Sequence, residues 1–162
     1  MARPNTLHDL LGRHSLDPKN GWVLCHRGRR YQTRLFEDAM GGDPRFSAFQ
    51  EIQGSKTALR AFRTATYLVC FVAPPGVKDI GIFVGVWRRT GAELPIPLPA
   101  QDEYEQPLDG QPIRFPTERD PRYDEYRGRF SALWTDPWIQ RTILDRPLSF
   151  HEDVYRLASS AK

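Results

Sequence analysis

Aromatic side chains that stand close to arginines are the residues of this sequence whose types could do recognisable chemistry. A nucleobase is a flat π surface with polar edges, so a ring can stack on it while an amide or guanidinium group bonds its edge. Trp138 and Gln140 supply a ring and an amide two residues apart, on one face of an extended segment. The pattern favours nucleic-acid binding; tryptophans that fill the core are the alternative. The aromatic residues within a few positions of an arginine are Trp22, Tyr31, Trp87, Trp134 and Trp138.

Arginine supplies most of the positive charge of the chain, which has 23 basic and 20 acidic residues and a net charge of +3. Arginine binds phosphates and base edges in a bidentate manner and also stacks on rings. A genome rich in G and C would favour arginine codons for unrelated reasons, so both explanations stay open. Acidic residues are concentrated in a proline-rich excursion at 92–121, which we expect to lie on the surface; this leaves the rest of the chain basic.

The chain contains no recognised catalytic or metal-binding motif. No glycine-rich stretch continues into the Gly-Lys-Ser/Thr of a phosphate loop, and no serine lies in a nucleophile elbow. Cys25 and Cys70 each lie in an apolar run, which favours buried, reduced thiols over a zinc site. We therefore expect no catalytic centre, no metal and no cofactor. An enzyme that uses His14 or His26 as an acid–base group is the alternative.

The elements that must position these residues are predicted from local signals. Thr6 and Asp9 have the spacing of a capping box, and Asp43 followed by Pro44 is typical of a helix start. Gly81 and Gly85, four apart in a strand, are expected on one face. The predicted strands are Trp22–His26, Thr66–Val72, Ile80–Trp87 and Gly128–Trp134, with a further strand near Ile113–Phe115.

These signals predict a single domain over residues 1–162, of α+β class and mostly β. The longest near-apolar run, Tyr67–Gly76, is about half of the ~20 residues that a membrane-spanning helix needs. We therefore expect a cytoplasmic protein with no membrane contact.

The order of the motifs resembles a known domain. It is similar to the N-terminal domain fused to some bacterial GIY-YIG nucleases, which resemble modification-dependent restriction systems. The resemblance covers roughly Leu7 to Val154, and the Gly-Ile-Tyr and Tyr-Ile-Gly pairs of the nuclease part are missing from this chain. The residues that carry it are Phe49 to Gln53, Phe71-Val72, Phe83 to Trp87, Gly128 to Phe130, Trp134, Trp138 and Gln140.

The resemblance implies a PUA-like fold, a small twisted β-barrel flanked by helices. It also implies a DNA-binding reader that flips a modified cytosine, such as a methylated one, into an aromatic pocket. The expected partner is double-stranded DNA, with a nuclease domain supplied by a fused or partner chain. The implied pocket residues are Phe49, Gln50, Gln53, Trp87, Trp138 and Gln140, and the expected phosphate-binding residues are Arg27, Arg29, Arg30, Arg88 and Arg89.

Two alternatives to this function stay open. One is an RNA-binding domain, since the same superfold includes RNA-binding modules. The other is a protein-interaction module, in which Pro95 to Pro99 would be an extended ligand for the groove of a partner.

Overall fold

The fold is built on a mixed β-sheet with helices on both faces. The computed structural model describes residues 3–16, 21–26, 32–54, 56–134, 139–140 and 146–154. The helices are α1 (Leu7–Gly12), α2 (Gln32–Gly41), α3 (Pro44–Gln50) and α4 (Lys56–Thr64), and a 3-10 helix covers Pro121–Tyr126. The strands are β1 (Gly21–His26), β2 (Ile52–Gln53), β3 (Tyr67–Val72), β4 (Ile80–Arg89), β5 (Leu94–Pro95), β6 (Ile113–Arg114), β7 (Thr117–Arg119), β8 (Phe130–Leu133), β9 (Ile139–Gln140) and β10 (Ser149–Phe150).

The large sheet has the strand order β10-β8-β4-β3-β1-β9, and β7 pairs with the second half of β4. Strands β1 and β3 are parallel neighbours, and the chain passes from one to the other through α2, α3, β2 and α4. Such a crossover is what a parallel pair requires. A small sheet has the order β2-β6-β5. The α+β class with mostly sheet is confirmed.

The closed barrel that the resemblance implies is not found among the described strands. The path of the large sheet ends at β10 on one side and at β9 on the other. The layers are those of an open sheet that is covered on both faces.

The local helix signals are confirmed where the sequence predicts them. The Thr6 side chain accepts a hydrogen bond from the Asp9 backbone, and the Asp9 carboxylate accepts one from the Thr6 backbone. Asp43 caps α3 through the backbone N–H of Arg45, with Pro44 at the first helical position. These contacts satisfy backbone donors that a helix start leaves without partners.

Two buried clusters lie on opposite faces of the large sheet. Alternate residues of β3 and β4 point to opposite faces, so each strand contributes to both clusters. One cluster joins the sheet to α2, α3 and α4, and includes Phe36, Phe46, Phe62, Leu68, Cys70, Val84 and Trp87. The other joins the sheet to α1 and the 3-10 helix, and includes Leu7, Leu10, Leu11, Phe71, Phe83, Tyr123 and Trp134.

A β-bulge changes the direction of side chains halfway along β4. Cys70 pairs with Gly85 and the next residue of β3 pairs with Phe83, so Val84 is the extra residue. After the bulge Trp87 points to the helical face. The expectation that Gly81 and Gly85 share a face is wrong: Gly85 lies under the Trp87 ring, whereas Gly81 pairs with Ala132 of the opposite cluster.

The proline-rich excursion at 92–121 is anchored to the core at several points. Tyr104 and Phe115 belong to the same buried cluster as the helices, although we expected a surface segment. Asp102 accepts hydrogen bonds from the backbone N–H groups of Tyr104 and Gln106. The strand expected near Ile113 is present as β6, and it pairs with both β2 and β5.

Replacement of Gly128 should destabilise the fold more than replacement of Gly110. Both have a left-handed backbone, with φ values of 74° and 66°. An added Cβ at Gly128 would lie 3.1 Å from Val154 and 3.2 Å from Met40, whereas nothing lies within 4 Å at Gly110. We expect Gly128→Ala to lower the free energy of unfolding by about 2–4 kcal/mol and Gly110→Ala by about 1–2 kcal/mol. Equal losses in urea unfolding would contradict this account.

Candidate nucleic-acid interface

Trp87, the expected stacking ring, is buried between the large sheet and α3. Its side chain is 3% exposed. The indole N–H donates to Ser47 Oγ at 3.2 Å, and the ring centroid lies 6.0 Å from that of Phe46. An indole that is covered and hydrogen-bonded in this way is a core side chain, so no base can stack on it in this conformation.

The neighbouring residues of the expected pocket are brought together, but inside the molecule. Gln50 is 0% exposed and Gln53 is 7% exposed. Phe49 is half-buried and packs edge-on against Tyr104, with 5.3 Å between the ring centroids. These side chains lie along α3 and β2, and they do not line an open hollow.

Of the remaining two pocket residues, Gln140 is the one that the described backbone includes. Trp138 lies outside the described residues. Gln140 is part of β9, where its backbone pairs with Val23 of β1. Three strand spacings separate β9 from β4, which is about 14 Å. Gln140 and Trp87 therefore lie on strands that are far apart in the sheet.

The Gln50 amide has an unusual environment. Neither its Nε2 nor its Oε1 has a hydrogen-bond partner among the described residues. Gln53, by contrast, donates from Nε2 to the Gln50 backbone oxygen at 3.1 Å. A buried polar group without a partner destabilises a fold by about 1–3 kcal/mol.

The expected phosphate-binding arginines have different surroundings. Arg27, Arg29 and Arg30 lie outside the described residues. Arg88 is exposed and lies 3.8 Å from the Glu118 carboxylate. The Arg89 guanidinium donates to backbone oxygens of Phe62, Arg63 and Gly91, so it holds the end of α4 against β4. Only Arg88 of these two presents its guanidinium to the surface.

A cleft of about 280 Å³ combines guanidinium groups with aromatic rings. We call it the arginine–aromatic cleft. The Arg3 guanidinium lies 3.7 Å from the centre of the Phe150 ring. The centres of the Phe150 and Phe130 rings are 5.8 Å apart. Burial and the adjacent Glu125 carboxylate raise the pKa of Tyr126, which keeps its phenol neutral. The cleft is lined by Arg3, Pro4, Arg13, Glu125, Tyr126, Arg129, Phe130 and Phe150.

Long-range backbone contacts assemble this cleft from distant parts of the sequence. Leu7 N–H donates to Arg146 O at 3.1 Å, and Leu148 N–H donates to Asn5 O at 2.9 Å. β10 pairs with β8, which brings Phe150 opposite Phe130. Arg129 also donates to Glu152 O at 2.8 Å. Sequence reasoning missed most of these residues, because only Arg129 and Phe130 belong to a motif.

A second cleft, of about 240 Å³, contains both signs of charge. We call it the mixed-charge cleft. The hydrogen bond from Arg122 to Asp120 holds the pKa of that carboxyl below its usual range, so Asp120 is ionised at neutral pH. The cleft is lined by Tyr67, Arg88, Glu118, Arg119, Asp120, Pro121 and Arg122.

Ser131 and His151 form a hydrogen bond that the sequence did not suggest. Ser131 Oγ and His151 Nε2 are 2.6 Å apart, and Ser131 is 5% exposed. Burial lowers the pKa of His151, so its imidazole is neutral at pH 7. This hydrogen bond links the segment after β10 to β8. Strand β8 in turn forms one wall of the arginine–aromatic cleft.

Within the described ranges, no group of three or more His, Cys, Asp and Glu residues is placed to hold a metal ion. Cys70 is buried, and the side chain of Cys25 is not among those described. None of the described helices combines the length and the apolar character needed to cross a membrane.

Comparison of the chain with protein-family models, with curated proteins and with solved structures finds no match. A proposal of function therefore rests on the two clefts and on the chemistry of the side chains that line them.

Substitution of Gln50 by methionine should preserve or raise stability. The change keeps the side-chain volume and removes two buried polar atoms that have no partner in the part of the chain that the structure describes. We therefore expect a gain of about 0–2 kcal/mol in the free energy of unfolding. Gln53→Met is the matched control, and its lost hydrogen bond should lower that free energy by about 1 kcal/mol. Urea unfolding of both variants measures the difference. A larger loss for Gln50→Met than for Gln53→Met would show that the Gln50 amide has a stabilising partner.

Stability should fall on acidification because of His151. Its pKa is lowered in the folded state, so below about pH 6.5 the unfolded chain binds more protons at this residue. The His151 contribution is complete above pH 6.5, and it is lost as the pH falls towards the folded-state pKa. His151→Gln keeps a hydrogen-bonding group but does not titrate. Thermal unfolding from pH 7.5 to 5 should show a smaller decline for His151→Gln than for the wild type; parallel declines would exclude the effect.

Proposed function

We propose that this protein binds nucleic acid at the arginine–aromatic cleft. The observation that carries the proposal is the composition of the cleft: three arginines, a single carboxylate and the partly exposed rings of Tyr126 and Phe150 surround one hollow, whereas the Phe130 ring in the same lining is buried. Guanidinium groups bind phosphates, and rings stack on bases with a gain of about 1–3 kcal/mol per base. The chemistry expected from the sequence is thus supported by residues other than those expected.

Recognition of a modified base is part of the same proposal, but it involves other residues than those expected from the sequence. An unpaired or extruded base, such as a methylated cytosine in DNA, would stack on Tyr126, or on Phe150 after displacing the Arg3 guanidinium from that ring, and not on the buried Trp87 ring. A free edge of that base would meet the guanidinium of Arg13 or Arg129. In this form, recognition does not require the Gln50 amide to open to solvent.

The resemblance to a PUA-like domain supports the proposal only through its sequence motifs. The described strands follow an open path and do not form the closed barrel of that fold. The open sheet also means that the base-binding site need not lie at the mouth of a barrel. A nuclease in a fused or partner chain would supply the cleavage chemistry in this proposal.

A protein-interaction function is the second candidate, and exposed leucines favour it. Leu94 and Leu98 are 53% and 45% exposed at the two ends of the Pro95–Pro97 stretch. The backbone of this segment is held by the small sheet, since Ile96 N–H donates to Pro112 O at 2.9 Å. The exposed leucines lie on a segment whose carboxylates would repel a phosphate backbone, so they are separate from the nucleic-acid proposal.

The proposal predicts that loss of two arginines of the cleft weakens nucleic-acid binding. We expect Arg3→Gln/Arg129→Gln to reduce affinity for a labelled 12-nucleotide strand about tenfold or more at 50 mM salt. The slope of log K against log salt should become less steep by about 1.4, because two phosphate contacts with a single strand are removed. Fluorescence anisotropy at two salt concentrations measures both quantities.

Arg60→Gln is the matched control, because Arg60 is exposed on α4, on the other face of the sheet. It should leave affinity within about twofold of the wild type. Equal losses for the control and the double variant, or no binding by the wild-type chain, would contradict the proposal.

A further inference from the structure

The mixed-charge cleft and the arginine–aromatic cleft lie at opposite ends of one short helix. Pro121 and Arg122, at the start of the 3-10 helix, line the first cleft. Glu125 and Tyr126, at its end, line the second. A 3-10 helix rises about 2 Å per residue, so the two clefts are about 10 Å apart along it.

Side chains connect the two clefts across the surface of this helix. Arg122 donates from Nη1 to the backbone oxygen of His14 at 3.3 Å. The His14 ring lies 5.0 Å from the Tyr123 ring and 6.5 Å from the Tyr126 ring. The turn after α1 therefore packs against the 3-10 helix between the clefts.

Two of the three arginines of the mixed-charge cleft are held by ion pairs that are exposed or partly exposed. In the pair between Arg88 and Glu118 the side chains are 61% and 68% exposed. Arg119 is 41% exposed and pairs with Asp124, which is outside the cleft lining. Exposed ion pairs contribute little to stability, so these guanidinium groups can exchange a carboxylate for a phosphate. Together the clefts hold six arginines and three carboxylates.

Building on the proposed function, we infer that one single strand of nucleic acid crosses the 3-10 helix and is held at both clefts. Each cleft has an aromatic side chain beside its arginines, with Tyr67 in the mixed-charge cleft. Rings set among guanidinium groups accept unpaired bases, whereas paired bases are already stacked within a duplex. A 10 Å span corresponds to about three steps at the 3.4 Å rise of a stacked strand, so about four nucleotides reach from one cleft to the other. With one further nucleotide seated in each cleft, the site takes about six nucleotides.

Oligonucleotides of different length test this inference. Anisotropy titrations use labelled oligothymidine of three, six and twelve nucleotides and a twelve-base-pair duplex, all with the full chain. We expect affinity to rise about tenfold or more from three to six nucleotides, and the duplex to bind more weakly than the twelve-nucleotide strand. Oligouridine of six nucleotides compares RNA with DNA. Whichever of the two nucleic acids binds more tightly should show the same increase of affinity with length.

A pair of substitutions in the mixed-charge cleft separates the two sites. Arg88→Gln/Arg119→Gln changes two exposed side chains and leaves Arg122 in contact with His14. It should abolish the gain from three to six nucleotides while leaving binding of the three-nucleotide strand within about twofold. Arg60→Gln should preserve the gain. Thermal unfolding of each variant checks that the fold is retained.

Each contrary outcome has a distinct meaning. No binding of any oligonucleotide by the wild type would overturn the proposed function. Binding without a gain from three to six nucleotides, or a gain that survives Arg88→Gln/Arg119→Gln, would overturn only the two-cleft path. Tighter binding of the duplex would overturn the single strand as ligand. Equal competition by a polyglutamate peptide would show a general polyanion surface, which also overturns it.

Discussion

Burial of β3 and β4 on both faces is the constraint on which the rest of the structure depends. These two antiparallel strands lie side by side in the middle of the sheet, and each contributes apolar side chains to both clusters. A strand of this kind needs a covering layer on each side. The helices α2, α3 and α4 cover one face, and α1 with the 3-10 helix covers the other. Both clefts lie on the second side, next to the 3-10 helix.

Helices and strands with a complete local sequence signal were predictable, and those with a weak local signal were not. The capping box at Thr6, the start of α3 at Asp43 and the β3–β4 hairpin each have a complete local signal. Helix α4 was missed because its buried residues are mainly small: Ala58 and Ala61 are covered, and Phe62 is the one large ring. The crossover between β1 and β3 also has no local signal, since it depends on which strands become neighbours.

The candidate site was predictable in its chemistry but not in its residues. A strict alternation along β4 cannot show an extra residue at Val84, so the side on which Trp87 points was not evident from the sequence. The cleft residues Arg3, Arg129 and Phe150 are far apart in the chain and meet only through strand pairing. Arginines near aromatic residues in the sequence predicted a surface of arginines and rings. The arginine–aromatic cleft has that composition, but long-range strand pairing brings other residues together to form it.

The two hydrogen bonds that join Asn5 and Leu7 to the 146–148 segment have a consequence for dynamics. The side of the arginine–aromatic cleft that Arg3 and Phe150 form is attached to the body of the molecule by these bonds and by the short pairing of β10 with β8, not by direct pairing with the central hairpin. Local opening of a peripheral segment requires less free energy than global unfolding. The cleft can therefore fray while the hairpin stays protected from hydrogen exchange, and a bound ligand would slow that exchange selectively at the periphery.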